Sequence, residues 1–505
     1  MRNFIDVRKN EYYDSVTLMS LSAKIERSLE NVQLLVAMAT PINVDLLKNM
    51  QFEESLLASL TANDLVIALS GADEALFEKI QQQVEESLST STSKSEKKDK
   101  KTYHTIAQAL QDQDFNLGVI SLPGKYAFIE AKKLLDHDIH VMLFSDNMSV
   151  EEEISLKKYA IRKNLLVMGP DCGTSILNGK GLCFANHAKL GTIGIISASG
   201  TGLQEVVVNI DKLDKGISQA IGVGGRDLSK EVGGLMMLAA LDALERDEKT
   251  ETIVLISKPP VPEVKDTILQ KLKSIKKKVI VYFIDTYEES NQANVMFAKN
   301  LYDTAYKAVY FKEDTSAMTT KVMKKYAFHN TQKYIRGLFC GGTLCLEALS
   351  ILRENKYEVY SNIAKHTKEK LLDPHVSVKH SMIDLGDDFF TNGKPHPMIE
   401  PSIRLDRIIE EAQCADTKVI LMDFELGYGA HEDPVGSTID YIEKAQQIAK
   451  DNNREIAIVA YVLGSQGDYQ NLQEQEKILV DAGVIIAKSN VDAVNIAMDI
   501  CKGDQ

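Results

Sequence analysis

Four short apolar runs lie in the middle of the chain: TIGIIS (Thr192–Ser197), ISQAIG (Ile217–Gly222), TIVLIS (Thr252–Ser257) and KKVIVYF (Lys277–Phe283). They are too brief for helices and have almost no polar alternation, so both faces must be covered, as in a parallel sheet flanked by helices. The same rhythm begins at residue 103 with NLGVISLP, a helix from Tyr126 to His137, HVMLFSD, a helix from Val150 to Asn164 and LLVMGPDCGTS. It restarts at 191, and again near 331 with YIRGLFCGGTLCLEALSIL, SMIDLGDD, TKVILMDFELGYGAHEDP, EIAIVAYVLG and AGVIIAKS. The expected fold class is therefore multidomain α/β, with successive Rossmann-like and flavodoxin-like parallel-sheet modules over 103–190, 191–330 and 331–505.

Ahead of them, residues 13–90 alternate extended and helical patterns, from YDSVTLM and SAKIERSL to DLVIALSG and EALFEKIQQQVEESL. A small N-terminal α/β sandwich of ACT or ferredoxin-like size is expected over 1–90. The stretch LSTSTSKSEKKDKK, Leu88 to Lys101, has the composition of a linker, placed at 91–102.

The 505 residues, 44% of them hydrophobic, suffice for several cores. A formal charge of -14 repels phosphate backbones and anionic lipid, so neither nucleic acid nor a membrane surface is an expected partner. No run reaches the roughly 18 apolar residues of a membrane helix, and the start MRNFIDVRKNEYYDSVTLM lacks the apolar core of a signal peptide; a cytoplasmic location is expected. Cys172, Cys183, Cys340, Cys345, Cys414 and Cys501 form no C-x-x-C pair and are expected reduced and mostly buried.

The residues with chemical interest fall at carboxyl ends of expected strands, where open α/β sheets hold ligands. Ser197-Ala198-Ser199-Gly200-Thr201-Gly202 precedes a helix containing Gln204 and Glu205, and Cys340-Gly341-Gly342-Thr343 precedes the helix LCLEALSIL. Small residues and free N–H groups at a helix start favour an anion, which makes Ser199, Gly200, Thr201, Gly202, Gly341, Gly342 and Thr343 phosphate candidates. Gly224, Gly225 and Arg226, in GVGGRD, offer backbone donors and a guanidinium for a substrate, or a tight turn with a surface salt bridge. The loop Gly386–Arg404 carries Asp387, Asp388, Lys394, His396, Glu400 and Arg404; Lys394 and Arg404 are candidates for a substrate carboxylate, against a long solvated loop. Asn147, in FSDNMSVEEE, completes the substrate-binding candidates. No tight spacing gathers Asp387, Asp388, His396 and His431 into a metal site, and none is expected.

GTIGIISASGTGLQEV followed by ISQAIGVGGRDL resembles the second domain of the succinyl-CoA synthetase α subunit, in the NDP-forming acyl-CoA synthetase superfamily. LLVMGPDCGTSILNG resembles the end of that subunit's CoA-binding domain, here truncated, and the third module resembles the carboxyl-terminal domain of the β subunit. With YYDSVTLM, FSDNMSVEEE, GLFCGGTLCLEA and LGYGAHEDP in order, nearly the whole chain is similar to the FdrA family of fused synthetase-like proteins. The resemblance implies two helix amino ends, after Gly200 and after Gly342, aimed at one phosphoryl group.

The departures from that family matter as much. Its phosphate-carrying histidine belongs to a Gly-His-Ala-Gly loop in the second module, yet no histidine occurs from Leu190 to Phe328. Glu205 keeps the place of that histidine's glutamate partner, or is a plain helix-surface acid. The CoA-phosphate loop is replaced by the N-terminal unit, which counts against CoA, the only cofactor in question, and no ATP-grasp domain is present. Family relatives are associated with oxamate carbamoyltransferase in allantoin breakdown, alongside companion subunits; a homodimer is also compatible. The expected function is a subunit transferring a carbamoyl group between oxamate and phosphate, with His431 and Glu205 handling protons or orienting a small carboxylate. The alternatives are acyl-CoA synthesis with a partner subunit, or a scaffold.

Overall fold

The computed structural model describes residues 2–502 except 12, 14, 27, 28, 30, 31, 95–100, 287, 289, 315–319, 321–325 and 393. The chain divides into two compact units, Met1–Thr102 with Asp388–Ser402, and Tyr103–Asp387 with Ile403–Gln505. Among the described residues, no helix is long and apolar enough to cross a membrane.

In the first unit the strand Leu65–Ala72 pairs antiparallel with Arg2–Arg8 on one side and Gln33–Met38 on the other. Its sequence LVIALS is apolar at odd and even positions alike, so both faces need cover. Leu65, Ile67 and Leu69 pack with Leu18, Leu21 and Phe77, while Val66 and Ala68 pack with Leu47 and Leu57. The segment read as extended, YDSVTLM, is helical from Ser15 onward, because Leu18, Leu21 and Ile25 form one buried helical stripe. Three strands form among the described residues, one fewer than in a ferredoxin-like sandwich. The helix Glu74–Lys94 runs into the stretch read as a linker, since SLSTSTSK contains neither Gly nor Pro to stop it; residues 95–100 lie outside the described ones.

Among the described residues, the second unit contains three sheets. A parallel sheet of three holds Leu117–Ile120, His140–Leu143 and Val167–Met168. A sheet of seven runs, in spatial order, Val295–Phe297, Lys278–Phe283, Thr252–Ser257, Leu190–Ser197, Ile217–Gly222, Thr174–Leu177 and Lys180–Cys183. The last two strands form an antiparallel hairpin that moves residues 174–183 out of the module read as 103–190. Its turn is Asn178-Gly179, both left-handed at φ 49° and 75°, the backbone a two-residue hairpin needs. The third sheet is entirely parallel, in the order Val359–Ser361, His380–Asp384, Tyr334–Phe339, Thr417–Glu425, Ala457–Leu463 and Ile485–Ala487.

Two helices join the second and third sheets into one body. Gly200–Lys212 buries 10 of 13 residues and Gly342–Glu354 buries 9 of 13, too many for a helix with one solvent face. Val206, Val207 and Val208 are weak helix formers on their own, yet they sit in a common core with Leu344, Cys345 and Ala348.

The GVGGRD loop fastens the sheet of three to the sheet of seven. Lys157, wholly buried on the helix Val150–Arg162, places Nζ 2.7 Å from both Glu153 and Asp227, and 3.0 Å from the Val223 carbonyl. Asp227 also accepts from the Met236 and Met237 N–H groups at the start of the next helix. Arg226 reaches the Met148 carbonyl at 2.8 Å and Glu153 at 3.0 Å. Arg226 is therefore bound up in an ion-pair network rather than held out to a substrate. Lys157→Met should leave Glu153 and Asp227 buried without their cation, costing about 3–5 kcal/mol in urea unfolding. The half-exposed Arg226→Ala should cost below about 1 kcal/mol; equal losses would show that the buried lysine is not the tie.

Candidate functional site

Strands Leu190–Ser197 and Tyr334–Phe339, each parallel to its neighbours in its own sheet, run into short loops of small residues ahead of the helices Gly200–Lys212 and Gly342–Glu354. Ser199 caps the first helix, its Oγ accepting from Gly202 N–H at 3.0 Å. That same Oγ lies 2.5 Å from Thr343 Oγ1 at the start of the second helix, and Thr343 N–H donates to Thr201 Oγ1 at 3.3 Å. Thus Ser199, Thr201, Gly202 and Thr343 meet. A Cβ at Gly202 would stand 2.7 Å from Ser199 Oγ and 3.1 Å from Thr343 Cγ2, so glycine is what permits the approach. The N–H groups of Gly200 and Thr201 find no acceptor among the described residues, and Gly200 is exposed. A solvent-facing helix start with two spare donors is an anion site in the making.

The partner helix end is different, and here two expected phosphate donors need correction. Gly341 N–H is already taken by Asp423 at 2.8 Å, as is that of Cys340. A Cβ at Gly342 would be 2.5 Å from Asp384 Oδ2, so a carboxyl group of the chain itself lies against this helix start. Asp384, Asp423 and Glu425 end two strands of the third sheet, all buried. Burial pushes Asp384 up to about 7, opposed by Lys258 at the end of Thr252–Ser257. It drives Glu425 well above the usual carboxylate range, with neighbouring Asp423 adding to the shift. Burial thus shifts Asp384 and Glu425, both set against the helix end, towards their protonated forms.

Arg404, read as a substrate clamp, is 1% exposed. Its guanidinium donates to the Asp423 carbonyl, lies 3.5 Å from Asp423 Oδ1 and stacks 4.3 Å from the Phe424 ring. It supplies the charge that a buried carboxylate requires, which removes it from the substrate-binding set. Cys340, Asp423 and Glu425 bring ligand-type atoms within 4.8 Å of one another. Two backbone N–H groups and Arg404 already engage Asp423, and burial raises the Cys340 thiol well above its usual value.

Deeper between the two helices lies a pair of acids. Glu205 accepts from Tyr461 Oη at 2.6 Å and Asn490 N–H at 3.2 Å. Glu347, which the sequence reading missed, accepts from Leu301 N–H and Asn490 Nδ2, each at 2.7 Å. Burial raises both, Glu347 to about 7. The signal for Glu347 was available: it follows Gly342 at the interval by which Glu205 follows Gly200. Glu205 is no surface acid; it is wholly enclosed and hydrogen-bonded to the third module.

The other candidates are not gathered at the helix ends by their hydrogen bonds. His431 Nδ1 accepts from Asp433 N–H at 3.0 Å and its carbonyl accepts from Gln470 at 3.2 Å. Its loop is held against residues 185 and 186 by Tyr428 N–H to the Ala185 carbonyl and by Asn186 to the Leu426 carbonyl. Gly224, at φ 87°, packs on the Gly169–Pro170 turn, and Gly225 is exposed. Asn147 is exposed with φ 53°. Lys394 is exposed in the first unit, whereas Arg404 belongs to the second. His396 accepts from Met398 N–H, and burial pushes it down to about 4. Cys172, Cys340 and Cys345 are buried, Cys183 and Cys501 half-buried and Cys414 exposed, none of them in a disulfide.

Comparison with known proteins places these elements. The chain matches the CoA-ligase family model over residues 338–500, the CoA binding domain model over 188–284 and a model described as AllF, heavy metal-associated domain, over 1–105. The CoA binding match thus falls on the sheet of seven, not on 103–190. The uncharacterized protein YahF of Escherichia coli K12 is 45% identical over 512 residues, 99% of each chain. ADP-forming succinate–CoA ligase α subunits from Methanothermobacter thermautotrophicus and Aquifex aeolicus are 28% and 27% identical, over 30% and 36% of this chain and 52% and 60% of theirs. The chain therefore spans about half the length of those ligase subunits. Among solved structures, Ca. Korarchaeum cryptofilum dinucleotide forming acetyl-coenzyme A synthetase 1 covers 81% of this chain and 86% of its own at 14% identity; its TM-score of 0.34 is too low to carry an argument.

The buried glutamates make stability depend on pH in a defined direction. Because burial raises Glu347 from 4.5 to about 7, its contribution is full below the lower value and is lost as pH rises through the upper one. Glu347→Gln should therefore gain on the unchanged protein by up to about 3 kcal/mol between pH 5 and 8 in denaturant unfolding. A difference independent of pH would show that Glu347 ionises freely in the folded chain.

Proposed function

The chain belongs to the FdrA-type, NDP-forming acyl-CoA synthetase-like proteins of the succinyl-CoA synthetase family, and we propose that it is the subunit of a carbamoyl-transferring complex that binds phosphate at its paired helix ends. The observation that carries this reading is the meeting of Ser199, Thr201 and Thr343 beside the spare N–H groups of Gly200 and Thr201, in a chain with no histidine from Leu190 to Phe328 to relay a phosphoryl group. Fixed donors suit an anion that enters as a substrate rather than one handed over by the protein. The match to the AllF-named model over 1–105 accords with this reading.

In the direction of carbamoyl phosphate formation, a phosphate oxygen attacks the ureido carbon of oxalurate. The bond from that carbon to the oxamate nitrogen then breaks, and the nitrogen takes up a proton. Gly200 and Thr201 N–H would hold the phosphate, with Lys258 adding positive charge near Asp384. Asp384, near its midpoint at neutral pH, is suited to deliver the proton. His431 remains a second candidate for proton handling or substrate orientation, Glu205 a residue that positions the helix, and Asn147 a candidate substrate contact.

A second reading is favoured by the matches to the CoA-ligase and CoA binding domain models: acyl-CoA formation with a partner subunit that supplies the activated phosphate. The protein combined with its companion subunits separates the two. Phosphate-dependent release of oxamate from oxalurate is expected; acyl-CoA formed from ATP, CoA and a carboxylate, without oxalurate cleavage, would overturn carbamoyl transfer. Asp384→Asn should lower turnover about 10²–10⁴-fold and abolish the decline in rate as pH rises through about 7. Gly200→Ala, whose methyl meets only Thr174 Oγ1 at 3.5 Å, should leave folding intact and weaken phosphate binding.

A further inference from the structure

The second and third modules contain the same arrangement twice, once filled and once empty. Position by position, Gly200, Glu205 and Lys212 of one helix correspond to Gly342, Glu347 and Glu354 of the other. Each helix packs on the opposite module, and the corresponding partners match too. Tyr461 is fifth in the strand Ala457–Leu463 and Tyr282 fifth in Lys278–Phe283, while Asn490 and Leu301 open the helices that follow the strands Ile485–Ala487 and Val295–Phe297. In both copies the tyrosine hydroxyl and the first helical N–H point at the glutamate: 2.6 and 3.2 Å to Glu205, 3.4 and 2.7 Å to Glu347.

In the Glu205 copy an ammonium completes the arrangement. Lys212 Nζ lies 4.7 Å above the Tyr461 ring, 3.3 Å from its hydroxyl and 3.0 Å from the Lys488 carbonyl. In the Glu347 copy the residue in the place of Lys212 is Glu354, which brings a carboxylate instead of a cation. What remains there is a cavity of about 280 Å³ lined by Tyr282, Asp285, Lys299, Glu347, Ser350 and Glu354, among others. Lys299 occupies the place of Lys488, and its own residue is exposed. Three carboxyl groups thus face one lysine, with Arg353 3.1 Å from Asp285 at the margin.

We infer that this cavity binds a small primary ammonium compound, whose charged nitrogen sits over the Tyr282 ring as Lys212 sits over Tyr461, with Glu354 as its counter-ion. An aromatic face, a carbonyl and buried acid provide the contacts a desolvated ammonium needs. The cavity holds more than an ammonium group alone, so an alkyl or polar tail enters with it. The inference stands apart from phosphate binding at the helix ends and does not depend on the reaction proposed there.

The full-length protein is titrated calorimetrically at pH 8 with n-butylammonium and, as the neutral analogue, n-butanol. Saturable binding of the amine, with the alcohol binding at least about tenfold more weakly, is expected. Glu354→Lys places a tethered ammonium at the cavity and should both raise Tm and remove amine binding. Glu354→Gln, at an exposed helix end that tolerates change, should weaken the amine about tenfold or more with Tm unaltered. Equal binding of amine and alcohol, no binding of either, or amine affinity unchanged in both variants would overturn the assignment.

Discussion

Asn490 holds the second unit together in a way no apolar contact could. Its N–H reaches Glu205 and its side-chain amide reaches Glu347, so one residue answers two acids carried by two different helices. Those helices are covered on nearly all sides, and a buried carboxyl group is tolerable only when its oxygens find donors. The donors come crosswise: the second module's glutamate is met by the third module's tyrosine, and the third module's by the second's helix start. Glu347 takes one donor from its own module, Asn490, but its other oxygen and both oxygens of Glu205 depend on the opposite module, which ties the two sheets together. The register of the two helix ends, and so the meeting of Ser199 with Thr343, follows from that crosswise pairing.

Acids at the start of a helix are at odds with holding phosphate there, since like charges repel. Protonation resolves the conflict. Burial raises Asp384 to about 7 and Glu425 well above the usual carboxylate range, so a protonated carboxyl group is at hand near neutral pH, and such a group can donate a hydrogen bond to an anion instead of repelling it. Asp423 differs from both in accepting two backbone N–H groups, with Arg404 beside it. The two helix ends are consequently not equivalent: the Gly200 end offers spare donors, and the Gly342 end offers a proton.

Sequence periodicity was enough for the parallel sheets and for the two helix starts, because buried strands and small-residue loops leave marks at short range. It was not enough for YDSVTLM, where Val16 and Thr17 read as strand formers while the packing of Leu18, Leu21 and Ile25 decided for helix. Nor did it find the hairpin at 174–183, whose Asn178-Gly179 signal stood in plain view inside a stretch read by its likeness to another module. Arg226 and Arg404 illustrate the harder limit. A guanidinium in a glycine loop and one beyond a proline-rich loop look like ligand clamps along the chain. Their carboxylate partners Glu153 and Asp423 become visible only once distant strands are side by side.

The repeated arrangement also explains why likeness between the modules does not imply equal roles. A duplicated helix start inherits the same glycine, the same glutamate and the same tyrosine across the interface, and those shared parts serve cohesion. Function can then be carried by what differs. Ser199 caps its own helix where Gly341 has no side chain to do so, and Lys212 closes its hollow where Glu354 leaves one open. A pair of interlocked modules thus maintains its fold through the matched positions, while each unmatched position changes the charge presented at one surface without loosening the contacts that hold the pair together.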